Sequence, residues 1–253
     1  MSSVHLSVIV PVLNEEDCIE SFLERVSRYL ESRAAPWEIV VVDDGSEDRT
    51  AALVDEWAGR DPRVRLLRRS HRGKGSAIRD GMLDAAGRWR FMADADLSVA
   101  PEDWDAFLAA AAQPVPADVI IGSREAPGAR RIGEPVGRHF IGRVFNWTVQ
   151  CLALRAINDT QCGFKMLSAA AATRIFPHLT IDGFAFDVEM LFLARRSGFR
   201  IAEVGIVWTC RTDSRVRMSR GAAAFGDIVK IRWRALSGRY AGLTARPDPA
   251  RAR

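Results

Sequence analysis

The sequence is sparing with the features that define several large protein classes. Its four cysteines, Cys18, Cys151, Cys162 and Cys210, are widely spaced and form no C-x-x-C pair. That argues against a zinc site or a disulfide framework and suits a reducing compartment. No apolar run reaches the roughly 18 residues that a simple membrane-spanning helix needs. The start, Met1-Ser2-Ser3-Val4-His5, has no basic stretch, so no signal peptide is expected. No G-x-G-x-x-G follows the first apolar segment, against a dinucleotide oxidoreductase, and the G-x-x-x-x-G-K-[ST] spacing of a Walker loop is missing. No internal repeat is evident.

The chain does have enough apolar material for one sizeable core: 253 residues, 48% hydrophobic and 27% charged. Its net charge of +4 is unevenly spread, with −8 over residues 1–127 and +12 over 128–253. A basic second half suggests an anionic partner: a phosphorylated substrate, a membrane surface or nucleic acid, the last disfavoured by the acidic first half.

Strand and helix patterns alternate from residue 4 to 122. Val4–Val10 reads as a strand stopped by Pro11, and a helix follows with Ile19, Phe22, Leu23, Val26 and Leu30 on one face. Trp37–Val42 is a second strand, and Ser46 or Asp48 is placed to cap the helix running through Trp57. Arg63–Leu67 is a third strand. Arg72–Ser76 opens a helix with Ile78, Met82 and Leu83 inward. Arg88–Ala93 and Ala117–Gly122 are further strands, separated by a helix from Pro101 to about Ala112. The expected fold is α/β, a mostly parallel sheet with helices on both faces.

Such sheets bind ligands beyond the carboxyl ends of their strands. Pro11–Glu16, Asp43–Ser46, Arg72–Gly75, Asp94–Asp96 and Ser123–Arg124 all follow strand ends and should share one rim. Asp94 and Asp96 are one residue apart. In an extended segment their carboxylates point the same way, and two hard oxygen donors suit Mg²⁺ or Mn²⁺ bridging to a diphosphate. Turn and cap duty is the alternative for such a pair.

Beyond Gly122 the pattern changes. Residues 123–137 read as a mobile, Gly/Pro/Arg-rich loop. A helix from Gly137 to Ile157 carries a narrow polar stripe, His139, Arg143, Asn146 and Gln150, and a wide apolar face for either the core or a membrane interface. A helix over Phe184–Arg196 and a last strand over Ile201–Trp208 follow. After a loop, Phe225, Ile228, Val229, Trp233 and Leu236 fit one helical face, with Lys230 and Arg234 outside it and Arg232 snorkelling. Residues 211–239 hold eight basic and two acidic groups, which suits an anionic membrane surface, with a solvated charged edge as the alternative. Residues 244–253 read as a disordered tail.

Several stretches resemble a known family. Ser7-Val8-Ile9-Val10-Pro11-Val12-Leu13-Asn14-Glu15-Glu16, Val41-Val42-Asp43-Asp44-Gly45-Ser46, Gly73-Lys74-Gly75 and Asp94-Ala95-Asp96 resemble glycosyltransferase family 2. Asp159-Thr160-Gln161-Cys162-Gly163-Phe164-Lys165 and Phe184-Ala185-Phe186-Asp187-Val188-Glu189 resemble its polyprenyl-phosphate sugar transferases, the dolichyl-phosphate β-glucosyltransferase branch above all. The resemblance covers about residues 5–240. It implies a GT-A, Rossmann-like catalytic domain over 1–210, with 123–157 inserted, followed by a basic interfacial helix over 211–243. It also implies inverting transfer of a hexose from a nucleotide diphosphate sugar, UDP-glucose first and GDP-mannose as the rival, to a polyprenyl monophosphate at the cytoplasmic membrane face. A soluble transferase with a small acceptor is another reading, and a nucleotide-sugar sensor a third.

The implied nucleotide-sugar contacts are Pro11, Asn14, Glu15, Asp43, Gly45, Lys74, Asp94 and Asp96, with Asp96, aided by Asp94, holding the metal. Ser123 and Arg124 would meet the acceptor phosphate. A phosphate monoester is largely dianionic at neutral pH and needs positive charge more than a base. Arg130, Arg131, Arg215 and Arg217 are further candidates to gather it. Asp159 and Gln161 would act on the acceptor side, Asp159 as orienter, base or salt-bridge partner.

Overall fold

The computed structural model describes residues 4–133, 148–150, 154, 157–210 and 218–243, with backbone alone over 218–225. Strand β1 (Leu6–Val12), helix α1 (Ile19–Glu31), β2 (Trp37–Asp43), α2 (Thr50–Arg60), β3 (Val64–Arg68), α3 (Lys74–Asp84) and β4 (Trp89–Met92) alternate as the hydrophobic pattern predicts. A 3₁₀ turn, Pro101–Trp104, runs into α4 (Asp105–Ala111), and β5 (Val119–Ser123) follows. Then come β6 (Arg130–Ile132), β7 (Lys165–Ser168), α5 (Ala169–Ile175), α6 (Phe186–Arg196), β8 (Ile201–Gly205), β9 (Val207–Thr209) and α7 (Met218–Leu236).

The main sheet has the order β3-β2-β1-β4-β7-β5-β8. All its pairings are parallel except those of β7, which lies antiparallel between β4 and β5. Side chains alternate across this sheet into two cores. Val8 and Val10 face a core built with α1, and Ile9 faces one built with α3, α5, α6 and α7. The five apolar residues expected on the inner face of α1 are all buried, each contributing roughly 1.5–3 kcal/mol of transfer free energy.

Several expectations need correcting. Pro11 does not end β1: it pairs with Val42, and the strand runs on to Val12. Neither Ser46 nor Asp48 caps α2 from the N-cap position, which is Arg49. Ser46 Oγ instead accepts the Asn14 N–H, while Asp48 accepts the N–H of Thr50. Leu83 is exposed rather than inward. Residues 130–132 are not loop, because β6 pairs in parallel with β9 as a separate ribbon. The strand expected over Ile201–Trp208 is accordingly split between the two sheets. Strand β7 and helix α5 had no counterpart in the hydrophobic pattern. Of the helix expected over 137–157, residues 148–150 are helical, with Val149, Leu154 and Ile157 buried; the rest lies outside the described residues, as does the expected tail.

Helix α7 corrects its own expectation. Ile228 and Ile231 face inward, whereas Val229, Trp233 and Leu236 are 60%, 67% and 75% exposed. Arg234, expected to point outward, donates from Nη1 to the Thr180 hydroxyl. Phe225 lies where side chains are not described.

Candidate active site

The parallel strands deliver their carboxyl ends to one rim. At the β1 and β2 ends, two loops are laced together. Asn14 sits in the left-handed region at φ +56°, its N–H donates to Ser46 Oγ at 2.9 Å, and its Oδ1 accepts the Glu47 N–H at 2.8 Å. The Glu15 N–H donates to Thr50 Oγ1 at 2.8 Å. Asp43 is buried, and its Oδ1 accepts the Ser46 N–H at 3.1 Å, the turn duty open to it from the sequence. Gly45 turns the chain at φ +86°, where a Cβ would lie 3.0 Å from the His71 nitrogen.

Asp44, which sequence pattern does not distinguish from its neighbour Asp43, organises the next loop. Its buried carboxylate meets His71 Nδ1 at 2.8 Å and the N–H groups of Arg72 and Gly73 at 2.9 Å each. The doubled aspartate before Gly45 was the available signal. This loop leads directly into α3, whose first residue is Lys74.

Lys74 is flanked by glycines because a second loop lies against the start of α3. A Cβ at Gly73 would come within 2.6 Å of the Asp182 carbonyl, and one at Gly75 within 2.6 Å of the Ile181 carbonyl. That Asp182 carbonyl accepts the N–H groups of Gly75 and Ser76 at 2.7 and 3.3 Å. These two amides are therefore occupied, and the Lys74 side chain is the cationic group at the start of this helix. Lys74 Nζ lies 2.5 Å from Asp94 Oδ1, with the side chains 22% and 30% exposed. Burial opposes its charge, but Asp94, Asp187 and Asp96 outweigh burial and raise its pKa.

Asp94 and Asp96 do not stand on an extended strand. β4 ends at Met92, and the pair sits in the turn beyond, with Leu97 at φ +53°. Asp96 Oδ1 accepts the Ser98 N–H at 2.9 Å. Asp94 rests on the backbone of Gly163, where a Cβ would be 2.2 Å from Oδ2. Among the described residues no three His, Cys, Asp or Glu side chains gather as a protein-only metal cage. Two carboxylates on one rim fit a Mg²⁺- or Mn²⁺-type ion, which is commonly bound by one or two carboxylates together with substrate phosphates.

At the end of β5, Ser123 is buried and accepts the Glu125 N–H. Arg124 and Asp159 form a bidentate pair: Nε to Oδ2 at 2.7 Å and Nη2 to Oδ1 at 2.9 Å, with the Arg124 N–H also on Oδ2 at 3.0 Å. The guanidinium lies 5.4 Å from the centre of the Trp208 ring. Burial pushes the Asp159 pKa up, but Arg124, with Lys165 behind it, reverses this and holds it below the usual range. Gln161 N–H donates to Asp159 Oδ1, and its carboxamide nitrogen is buried with no hydrogen-bond partner among the described residues. Arg131 pairs along the ribbon with Trp208 and bonds Glu125 at 2.6 Å. Arg130, adjacent on the same strand, is exposed and alternates to the other face of the ribbon. Arg215 and Arg217 lie outside the described residues.

Beneath the rim are buried charged groups for which local pattern predicts no role. Lys165 is fully buried and donates to Asp187 Oδ1 at 2.6 Å and to the Cys162 carbonyl. Burial raises the Asp187 pKa, against the pull of Lys165 and Lys74. Glu189, also fully buried, accepts the N–H groups of Thr180 and Ile181 and the hydroxyls of Thr180 and Tyr240.

Comparison with known proteins agrees with this architecture. Residues 7–176 match the model of glycosyl transferase family 2. The chain is 34% identical to a dolichyl-phosphate β-glucosyltransferase of Dictyostelium discoideum, over 94% of its own length and 77% of that protein's. It is 35% identical to the Mus musculus protein of the same name, over 93% and 77%. Among solved structures, glucosyl-3-phosphoglycerate synthase from Mycobacterium tuberculosis in complex with UDP superposes with a TM-score of 0.68 at 18% identity, covering 97% of this chain and 82% of that one. The same enzyme with Mn²⁺, UDP-glucose and phosphoglyceric acid gives 0.67 at 17%, with the same coverage. At that identity the likeness establishes a shared fold.

Proposed function

The chain belongs to glycosyl transferase family 2, and from that premise we propose that it transfers glucose from UDP-glucose to a dolichyl-type polyprenyl monophosphate, with inversion, at a membrane surface. The donor's diphosphate lies against Lys74 and the Asp94–Asp96 turn, and the nucleoside lies over Pro11, Glu15 and Asp43. Asn14 and Gly45 shape the loops beneath it. A bound Mg²⁺ or Mn²⁺, held by Asp96 with help from Asp94, would offset charge on the departing diphosphate. Lys74 adds a positive charge on the same side.

The acceptor phosphate is gathered by Arg124, with Arg131 nearby. One acceptor oxygen forms a bond to C1 of the glucose as the bond from C1 to the diphosphate breaks, and UDP leaves. No proton has to be removed from a phosphate dianion. Asp159 is bound up with Arg124, so its task is to aim the guanidinium. Gln161 contributes its carboxamide N–H to the hexose or the incoming phosphate.

The observation that carries the acceptor half of this reading is the clamp of Asp159 on Arg124, which fixes the orientation of a guanidinium at the rim. The membrane half rests on α7. Val229, Trp233 and Leu236 form one outward apolar stripe, with exposed Lys230 and Arg232 beside it. No helix among the described residues is long and apolar enough to cross a bilayer. The wide spacing of Cys18, Cys162 and Cys210 in the chain suits the reducing, cytoplasmic side.

The test is transfer of radiolabel from a panel of UDP- and GDP-hexoses to a polyprenyl phosphate, with Mg²⁺ or Mn²⁺. UDP-glucose should be the best donor, and Asp96→Ala should abolish transfer in a protein of unchanged melting temperature. Preference for GDP-mannose, or an active Asp96→Ala, would refute the assignment.

A further inference from the structure

The carboxylate of Glu189 is fully buried and accepts four hydrogen bonds beneath the rim. We infer that Glu189 is a positioning residue that couples the docking of the C-terminal helix to the placement of Lys74, so that α7 helps set affinity for the donor. This deepens the functional reading above and rests on Lys74 as a donor contact.

The connection is built from short, specific bonds. At one end, the turn after α7 returns Tyr240 to the core, where its hydroxyl donates to Glu189 Oε1 at 2.6 Å. Arg234, on α7 itself, donates to the Thr180 hydroxyl, which in turn donates to the same Glu189 oxygen. Glu189 Oε2 accepts the N–H groups of Thr180 and Ile181 at 2.8 and 2.9 Å. The carboxylate thus meets four donors in a fully buried position, and each ties α6 to another segment.

At the other end, Ile181 and Asp182 bear directly on the start of α3. The Asp182 carbonyl holds the Gly75 and Ser76 N–H groups, and its carboxylate pairs with Arg79 at 3.2 Å and Arg72 at 3.5 Å. The clearances at Gly73 and Gly75 leave no room for even a methyl group between the two loops. Closely packed surfaces transmit displacement. A shift of Thr180 is therefore passed through Asp182 to Lys74, whose ammonium sits on Asp94. On its outer side the same α7 carries the Val229, Trp233 and Leu236 stripe. A lipid surface that seats α7 would accordingly steady the donor end of the site.

Two conservative substitutions, Tyr240→Phe and Thr180→Val, test this in the full chain. Each removes one hydroxyl from the Glu189 cluster and touches no substrate. Kinetics on vesicles containing the polyprenyl phosphate should show donor KM raised about threefold or more for each. The acceptor KM and the vesicle-bound fraction should be unchanged, and the double variant should show less than the product of the single effects. A merely structural role would instead lower melting temperature and active fraction with donor KM unmoved, and that result in both variants overturns the coupling. Lys74→Met separates the two layers. If it raises donor KM while Tyr240→Phe and Thr180→Val do not, the coupling alone fails. If Lys74→Met leaves donor KM unchanged, the premise fails and the coupling with it.

Discussion

Gly163 shows how much of this site depends on an absent side chain. Its backbone supports the Asp94 carboxylate, and a Cβ there would stand 2.2 Å from Oδ2. The backbone at 163 is not in the left-handed region, so alanine strains nothing locally. The cost falls on Asp94, which must rotate away and loosen its 2.5 Å contact with Lys74. Gly163→Ala should therefore lower kcat/KM by roughly 100-fold, the scale of an ångström-sized misplacement, with little change in melting temperature. A Gly163→Ala enzyme with wild-type kinetics would show that Asp94 need not be held where the structure puts it. At this scale the sequence was informative about chemistry and silent about support. Asp94 and Asp96 are singled out by type and position, whereas Lys74, Arg124 and Asp159 stand out through the family resemblance of the motifs that hold them. Asp44, Gly163, Lys165, Asp187 and Glu189 act through partners far away in the chain, which no local pattern reveals.

Elements that follow one hydrophobic period could be read, and those that mix periods could not. Helix α1 buries one clean stripe and was evident. Strand β7 was hidden because it begins with a fully buried lysine, which finds its counter-charge in Asp187 only after folding. Helix α7 reads as amphipathic from its sequence, but the structure divides its expected apolar face. It carries two apolar stripes, Ile228 and Ile231 toward the core and Val229, Trp233 and Leu236 toward solvent, and hydropathy cannot say which one is buried. The outward stripe gives the helix a testable task. Trp233→Asp is an exposed change, worth no more than about 0.5 kcal/mol to folding. It removes the largest apolar group from the stripe, worth roughly 2 kcal/mol or more when buried. Flotation with anionic vesicles should show at least about tenfold weaker binding, while transfer to a short-chain, water-soluble polyprenyl phosphate stays near wild type. Equal flotation of the two proteins would assign the stripe to some other contact.

Across the whole molecule, an acidic first half and a basic second half both contribute to the rim at which the proposed reaction brings two anionic substrates together. In the proposed reaction Asp94 and Asp96 stand where a cation can bridge to the donor, while Arg124, at the end of the acidic half, and Arg131, at the start of the basic one, gather the acceptor. This division of tasks sets the expected pH behaviour. Asp159 has a folded pKa below its unfolded value of about 3.9. The stability it contributes is therefore fully present above that unfolded value and is lost only as pH falls through the lower, folded one. In the neutral range it stays ionised and paired, a poor proton acceptor but a steady orienter of Arg124. The group that titrates within the working range is the acceptor, whose second phosphate pKa is near 6. Acceptor kcat/KM should thus fall about tenfold per pH unit below roughly pH 6, with the same midpoint in wild type and in Asp159→Asn. The variant should differ in a raised acceptor KM, because Arg124 loses its aim. An acid limb that disappears with Asp159→Asn would instead mean that this carboxylate takes a proton during turnover, and Arg124 would then need another partner while it does so.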